Sequence, residues 1–197
     1  MYIAYILFVN LYYDPEASDF LSRKSNLKRP LPVSTWLNVM YIHVIAASLA
    51  MITGALNFSS YLLRNYRKFH RINGYLYVVF VFIVCLTSGY MAPFSTGGKI
   101  NSIAFNMLNI VWPAFTLIAI IHIRRKRQIK HRQWMIRSFV FCFTNLFIHL
   151  FTTLTQAGLG LTYEKSYTVG VYGAIVFLLL LAEIVIRFTA RKAAALS

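Results

Sequence analysis

Long apolar segments alternate with short basic segments along the chain. Stretches of about twenty residues carry almost no charged side chain, and the polar residues collect between them. A helix of about 20 apolar residues crosses about 30 Å of membrane hydrocarbon. The pattern therefore predicts an all-α fold, a polytopic bundle of transmembrane helices. The six predicted spans are residues 1–13, 36–63, 74–91, 101–123, 134–154 and 168–188.

The first predicted span is shorter than the others and leads directly into Asp14. It lacks the basic start and the small-residue cleavage site of a signal peptide, so we interpret it as a partial or tilted helix. Residues 14–35 follow as a polar loop, in which several prolines oppose a continuous helix. Pro113 lies inside the fourth span, where a membrane helix tolerates it as a kink. The spans leave no room for a soluble domain, so we expect residues 1–197 to form a single integral-membrane domain.

Composition and charge support this class of protein. The 197 residues are 58% hydrophobic and 13% charged, whereas a soluble domain has about 25% charged residues. Fourteen of the twenty Lys and Arg residues follow spans two, four and six, so both termini are expected on the cytoplasmic side of a plasma membrane. The net charge of +15 is assigned to topology and to contact with the lipid bilayer. It is not assigned to nucleic acid, because a nucleic-acid site needs a basic face outside the membrane.

A His-Arg step occurs twice, each time where a basic loop leads into an apolar span. His70 and Arg71 stand just before the third span, and His131 and Arg132 stand just before the fifth. Arg71 and Arg132 are expected to contact lipid phosphates at the interface. The two histidines are open to two interpretations, as interfacial imidazoles bonded to nearby carbonyls or as members of a site.

The second interpretation rests on depth in the membrane. His149 lies eighteen residues beyond His131, about 27 Å further across the membrane. His43 and His149 therefore form an outer pair, and His70 and His131 form an inner pair. Histidine is an axial ligand of haem, and apolar neighbours supply a dry pocket. The sequence thus raises the hypothesis of a transmembrane electron carrier that holds haem b between paired histidines, although it has no compact motif such as CxxCH.

The acidic residues are few, and only Glu183 lies inside a span. Arg137 lies at a comparable depth, so the two are predicted to form an ion pair or, alternatively, a proton site. Two other classes of function stay open. One is a small transporter or channel with a cavity lined by Glu183, Asn57, Asn109 and Asn145, and the other is a non-catalytic membrane scaffold.

The sequence contains no motif of the common soluble enzymes. Whether the protein is an enzyme of another kind is left open. The sequence has no phosphate-binding loop of a kinase, no nucleophile arrangement of a hydrolase and no HExxH motif of a metalloprotease. No set of residues has the spacing of a metal site. Cys85 and Cys142 both lie inside apolar segments and are interpreted as packing residues.

Three segments carry a resemblance to a known family. The segments HVIAASLAMITGALNF, RKFHRINGYLYVVFVFIVCLTSGYMA and IKHRQWMIRSF together resemble bacterial multi-pass membrane proteins of the domain-of-unknown-function family numbered twenty-three hundred and six. The resemblance covers residues 36–188 and implies an inner-membrane protein with no established activity. The positions that the family implies are His43, His70, Arg71, Gly74, Tyr77, His131, Arg132, Trp134, Met135, Arg137 and Ser138; His149 is not carried over.

Overall fold

The computed structural model describes residues 2–22 and 30–194. Helices dominate both ranges and no strand occurs in them, so the prediction of an all-α fold is confirmed. The helices are α1 (Tyr2–Phe8, continued by a π-helical turn Val9–Tyr13), α2 (Ser18–Ser22), α3 (Val33–Asn57), α4 (Ser60–Asn65), α5 (Arg67–Met91), α6 (Gly98–Arg124), α7 (Gln128–Phe139), α8 (Thr144–Leu159) and α9 (Tyr163–Ala194). A 3₁₀ turn, Ala92–Phe94, extends α5, and another, Val140–Phe143, joins α7 to α8.

Five helical segments of the described chain are long and apolar enough to cross a membrane, as the hydrophobic pattern predicts. They are Val33–Asn57, Arg67–Phe94, Gly98–Arg124, Gln128–Leu159 and Tyr163–Arg191. The N-terminal apolar helix, Tyr2–Tyr13, is shorter, in agreement with the partial helix expected there.

Most span boundaries differ from those that the sequence predicts; the third span begins at Arg67 rather than at residue 74, and the fifth runs over Gln128–Leu159 rather than 134–154. The second span ends at Asn57 rather than at residue 63, because Ser59 adopts an extended backbone and caps the separate helix α4 by accepting from the Leu62 N–H at 3.4 Å. The predicted loop 14–35 contains the short helix α2. Residues 23–29 of this loop lie outside the described residues, and so do the four cations Arg23, Lys24, Lys28 and Arg29 that the charge count placed on the outer side.

The chain divides into two compact units, Met1–Asn109 and Ile110–Ser197, and α6 continues through the division. In the first unit α3 packs along α5, and the buried side chains of α5 recur at helical spacing at Asn73, Tyr77, Val81 and Val84. This spacing forms one apolar stripe along the helix. The expectation of a single domain stays a prediction.

In the second unit α8 packs along α9. The buried face of α9 includes Gly170, Val171, Ala174 and Leu178. Small side chains at such positions let two membrane helices approach closely. The part of α6 beyond Asn109 belongs to the same unit and meets α7 through hydrogen bonds and aromatic contacts.

Candidate functional site

His43 is fixed in one orientation by a hydroxyl on the neighbouring helix. Its Nδ1 atom lies 2.9 Å from Thr87 Oγ1. The Thr87 hydroxyl donates to the carbonyl oxygens of Ile83, at 2.8 Å, and Val84, at 3.0 Å. A hydroxyl has a single hydrogen, so when Thr87 donates it to one of these carbonyls, its oxygen accepts from His43 and Nδ1 is the protonated ring nitrogen. In that tautomer the Nε2 atom of His43 carries a lone pair that can bind a metal or accept a hydrogen bond.

His131 is held in the same way in the second unit. Its Nδ1 atom lies 2.9 Å from the carbonyl oxygen of Ala119 on α6. A carbonyl only accepts hydrogen bonds, so Nδ1 carries the hydrogen and Nε2 carries a lone pair. His43 and His131 thus share one arrangement, in which the Nδ1–H group is anchored and the Nε2 atom is the remaining ligand atom.

The other two candidate histidines differ in exposure. His70 is half-buried near the start of α5, and its backbone N–H donates to the backbone carbonyl oxygen of Tyr66 at 3.0 Å. His149 is exposed on α8. His43 and His70 belong to the first unit and His131 and His149 to the second, so the pairing of these histidines stays a prediction.

Counting along each helix gives the distance of each candidate histidine from a helix end. His43 lies ten residues from the start of α3, and His149 lies ten residues before the end of α8. At 1.5 Å per residue, each is about 15 Å from that helix end. His70 and His131 each lie three residues from the start of their helices, α5 and α7, which corresponds to about 4.5 Å.

The structure brings Arg137 and Glu183 together as a two-pronged ion pair between α7 and α9. Arg137 Nε donates to Glu183 Oε1 at 2.6 Å, and Nη2 donates to Oε2 at 3.1 Å. The Arg137 guanidinium also lies 4.7 Å from the centroid of the Trp134 ring. Parallel hydrogen bonds of this kind fix the geometry of both side chains. This contact occupies both carboxylate oxygens of Glu183 and contributes to holding α9 against α7.

A buried amide, Asn73, was missed by sequence reasoning. Its Nδ2 atom donates to the carbonyl oxygen of Thr53 at 2.7 Å and lies 2.9 Å from the side-chain amide of Asn57. It thereby joins the end of α3 to the beginning of α5. The available signal was the Asn-Gly step inside the apolar segment, because a polar side chain within a span is expected to hydrogen-bond to a neighbouring helix. Asn57 is thus engaged inside its own unit.

A second missed contact joins α6 to α7. The hydroxyl oxygens of Thr116 and Ser138 lie 2.7 Å apart and both residues are fully buried. The Phe115 and Trp134 rings meet beside this contact edge to face, with their centroids 5.2 Å apart. The segment from His131 to Ser138 therefore attaches α7 to α6 and α9 through four of its side chains, which sequence spacing alone did not show.

The remaining candidates have simpler surroundings. Arg71 and Arg132 are exposed, and their contact with lipid phosphate stays a prediction. Asn145 is exposed, and the enclosed Nδ2 atom of Asn109 has no hydrogen-bond partner in the described part of the chain. Cys85 is buried. Within residues 2–22 and 30–194, no cluster of three or more His, Cys, Asp or Glu side chains is arranged to hold a metal ion.

Five membrane-length apolar helices define this chain as a polytopic membrane protein in contact with the lipid bilayer. Residues 40–186, well over half of the chain, match the model of a family described as predicted membrane protein DUF2306. The chain therefore belongs to this family, whose function is unknown, as its resemblance in sequence indicated. No curated protein and no solved structure matches the chain.

Proposed function

We propose that this membrane protein binds haem through histidine side chains and carries electrons within the membrane. The observation that supports the proposal best is the shared state of His43 and His131, whose Nδ1–H groups are anchored. Histidines that bind metals almost always donate their other ring N–H to an oxygen atom, which orients the ring and raises its basicity. A neutral imidazole with an available Nε2 atom is the form that haem iron binds.

The chain's own residues supply orientation and a dry surrounding, while haem supplies one-electron chemistry when bound. The hydrogen bond from His43 to Thr87 stops the ring from rotating and keeps the lone pair on Nε2. The backbone carbonyl of Ala119 does the same for His131. Along the chain His149 lies eighteen residues beyond His131, about 27 Å, so two haem groups are proposed, with His149 and His70 as the second ligands.

The first test is a visible absorption spectrum of the detergent-purified protein, expressed with haem precursor and measured before and after reduction with dithionite. We expect a Soret peak and a sharp α band on reduction. The variants His43→Ala and His131→Ala should each lose about half of the bound haem. His122→Ala is the matched control, because His122 also lies within a span and is not a proposed ligand; it should keep the full spectrum.

A well-folded but colourless protein, with haem supplied, would refute the proposal. An unchanged spectrum in both ligand variants would show that haem is bound elsewhere.

A transporter or channel is supported less well, since Asn57 and Glu183 already use their polar atoms in contacts within their own units. Localisation in a bacterial plasma membrane with cytoplasmic termini belongs to the same proposal, and reporter fusions at residue 197 would test it.

A further inference from the structure

The loop between α6 and α7 concentrates positive charge on a very short turn. Six cations occupy nine positions and all six are exposed. The turn is tight, because the N–H groups of Lys126 and Arg127 donate back to Ile123 and His122, each at 2.9 Å. Lys126 adopts a left-handed backbone conformation with φ of 59°. We call this segment the basic hairpin, and its cations are Arg124, Arg125, Lys126, Arg127, Lys130 and Arg132.

Among the described residues of the second unit, no carboxylate balances this charge. The sequence contains no acidic residue between Asp19 and Glu164. Glu183 is paired with Arg137, and Glu164 lies in the first turn of α9, at the far end of α7 and α8 from the hairpin. None of the six side chains forms an ion pair in the part of the chain that the structure describes. Charges of one sign this close repel one another, so the hairpin needs anions from outside the protein.

An exposed apolar side chain on the same turn indicates which kind of anion fits. Ile129 lies between Arg127 and Lys130 and is 77% exposed. Ile123, on the other side of the turn, is 41% exposed. A segment that combines cations with exposed isoleucine side chains fits the boundary between lipid headgroups and acyl chains. The phosphate backbone of a nucleic acid would give Ile129 no apolar partner. The hairpin also connects two membrane spans directly, so we expect it at the depth of the lipid headgroups.

We propose that the basic hairpin is a binding site for the phosphodiester headgroups of anionic phospholipids. The guanidinium groups of Arg124, Arg125 and Arg127 can each donate two parallel hydrogen bonds to one phosphate, which an ammonium group cannot do. Ile129 inserts among the acyl chains beneath the headgroups. Clusters of four to eight Lys or Arg residues beside a membrane span bind anionic lipid in this way. The site is independent of haem binding.

The test measures how much phosphatidylglycerol the purified protein retains from mixed nanodiscs with phosphatidylcholine, by native mass spectrometry. The hairpin variant carries glutamine at residues 124, 125, 126 and 127. A matched control removes the same number of charges in the first unit and carries glutamine at residues 64, 67, 68 and 71. A cation that contacts a headgroup contributes about fivefold to anionic-lipid binding, so the loss of even two such contacts exceeds about tenfold. We expect a loss of at least this size in the hairpin variant and a clearly smaller loss in the control.

An equal loss of phosphatidylglycerol in both variants would overturn the proposed site, because it would show that net charge alone attracts the lipid. Unchanged retention in the hairpin variant would overturn it too, and so would binding of an oligonucleotide in preference to the lipid. Removing four cations can disturb membrane insertion. A second variant, Arg124→Lys with Arg125→Lys and Arg127→Lys, therefore keeps every charge while removing the guanidinium groups. It should insert normally and retain severalfold less phosphatidylglycerol, and full retention would contradict the proposal.

Discussion

Gly170 marks the closest approach of α8 and α9, and replacing it with alanine should destabilise the second unit. A Cβ atom at this position would lie 2.5 Å from Thr152 Oγ1 and 2.7 Å from the carbonyl oxygen of Ile148. Carbon and oxygen atoms normally approach to about 3.3 Å. The Thr152 hydroxyl cannot swing away without breaking its 2.7 Å bond to Ile148, and the second clashing atom is backbone. The two helices must therefore separate.

The required separation is about 0.6 to 0.8 Å at the crossing, taken from the two close distances and a contact of about 3.3 Å. A gap of this size forfeits a quarter to a half of each dispersion contact across the interface. Overpacking in a well-packed core costs about 1–3 kcal/mol. The greater helix propensity of alanine offsets about 1 kcal/mol of this. We expect a net loss of up to about 2 kcal/mol in the free energy of unfolding.

Equilibrium unfolding by sodium dodecyl sulfate in mixed micelles, followed by circular dichroism, measures this loss. Gly158→Ala is the matched control, because it makes the same substitution on α8, where a Cβ atom would meet nothing within 4 Å. That variant should be as stable as the parent protein or slightly more stable. Equal stabilities for Gly170→Ala and Gly158→Ala would refute the reasoning, since they would mean that α9 does not pack this closely on α8.

Three further predictions concern polar contacts. Glu183→Gln should lower the free energy of unfolding by about 1 kcal/mol. The value is small because the side chains of Arg137 and Glu183 are 21% and 45% exposed. A double-mutant cycle with Arg137→Gln that gives no coupling free energy between the two residues would contradict this prediction. Asn73→Leu should cost about 1–3 kcal/mol, since it leaves buried acceptors unpaired, and an unchanged unfolding midpoint would show that the amide is dispensable. If His43 binds haem, Thr87→Val removes the oxygen that accepts from the Nδ1–H group of His43 and makes the imidazole less basic. The midpoint potential of the haem in a redox titration should then rise, and an unchanged potential would contradict the prediction.

One contact of the candidate site was recognisable in the sequence. Arg137 and Glu183 were expected at one depth, and they form an ion pair. That inference succeeds because depth in a membrane follows from counting residues along a helix of known rise. Asn73 and Thr87 were missed, and so was the contact of Ser138 with Thr116, because counting gives depth and not the direction of a side chain.

The sequence by itself determined the class of protein, since burying twenty consecutive apolar residues in lipid requires little more than helix formation. The number of long spans and the basic character of the loops follow from the same composition. Only the tertiary structure decided which hydrogen-bond partner each polar side chain has. Thr87 fixes the ring of His43, Ala119 fixes the ring of His131, and Gly170 sets the spacing of α8 and α9. These contacts depend on how each helix is rotated about its axis, and that rotation is set by packing against a neighbouring helix rather than by hydrophobicity along the chain.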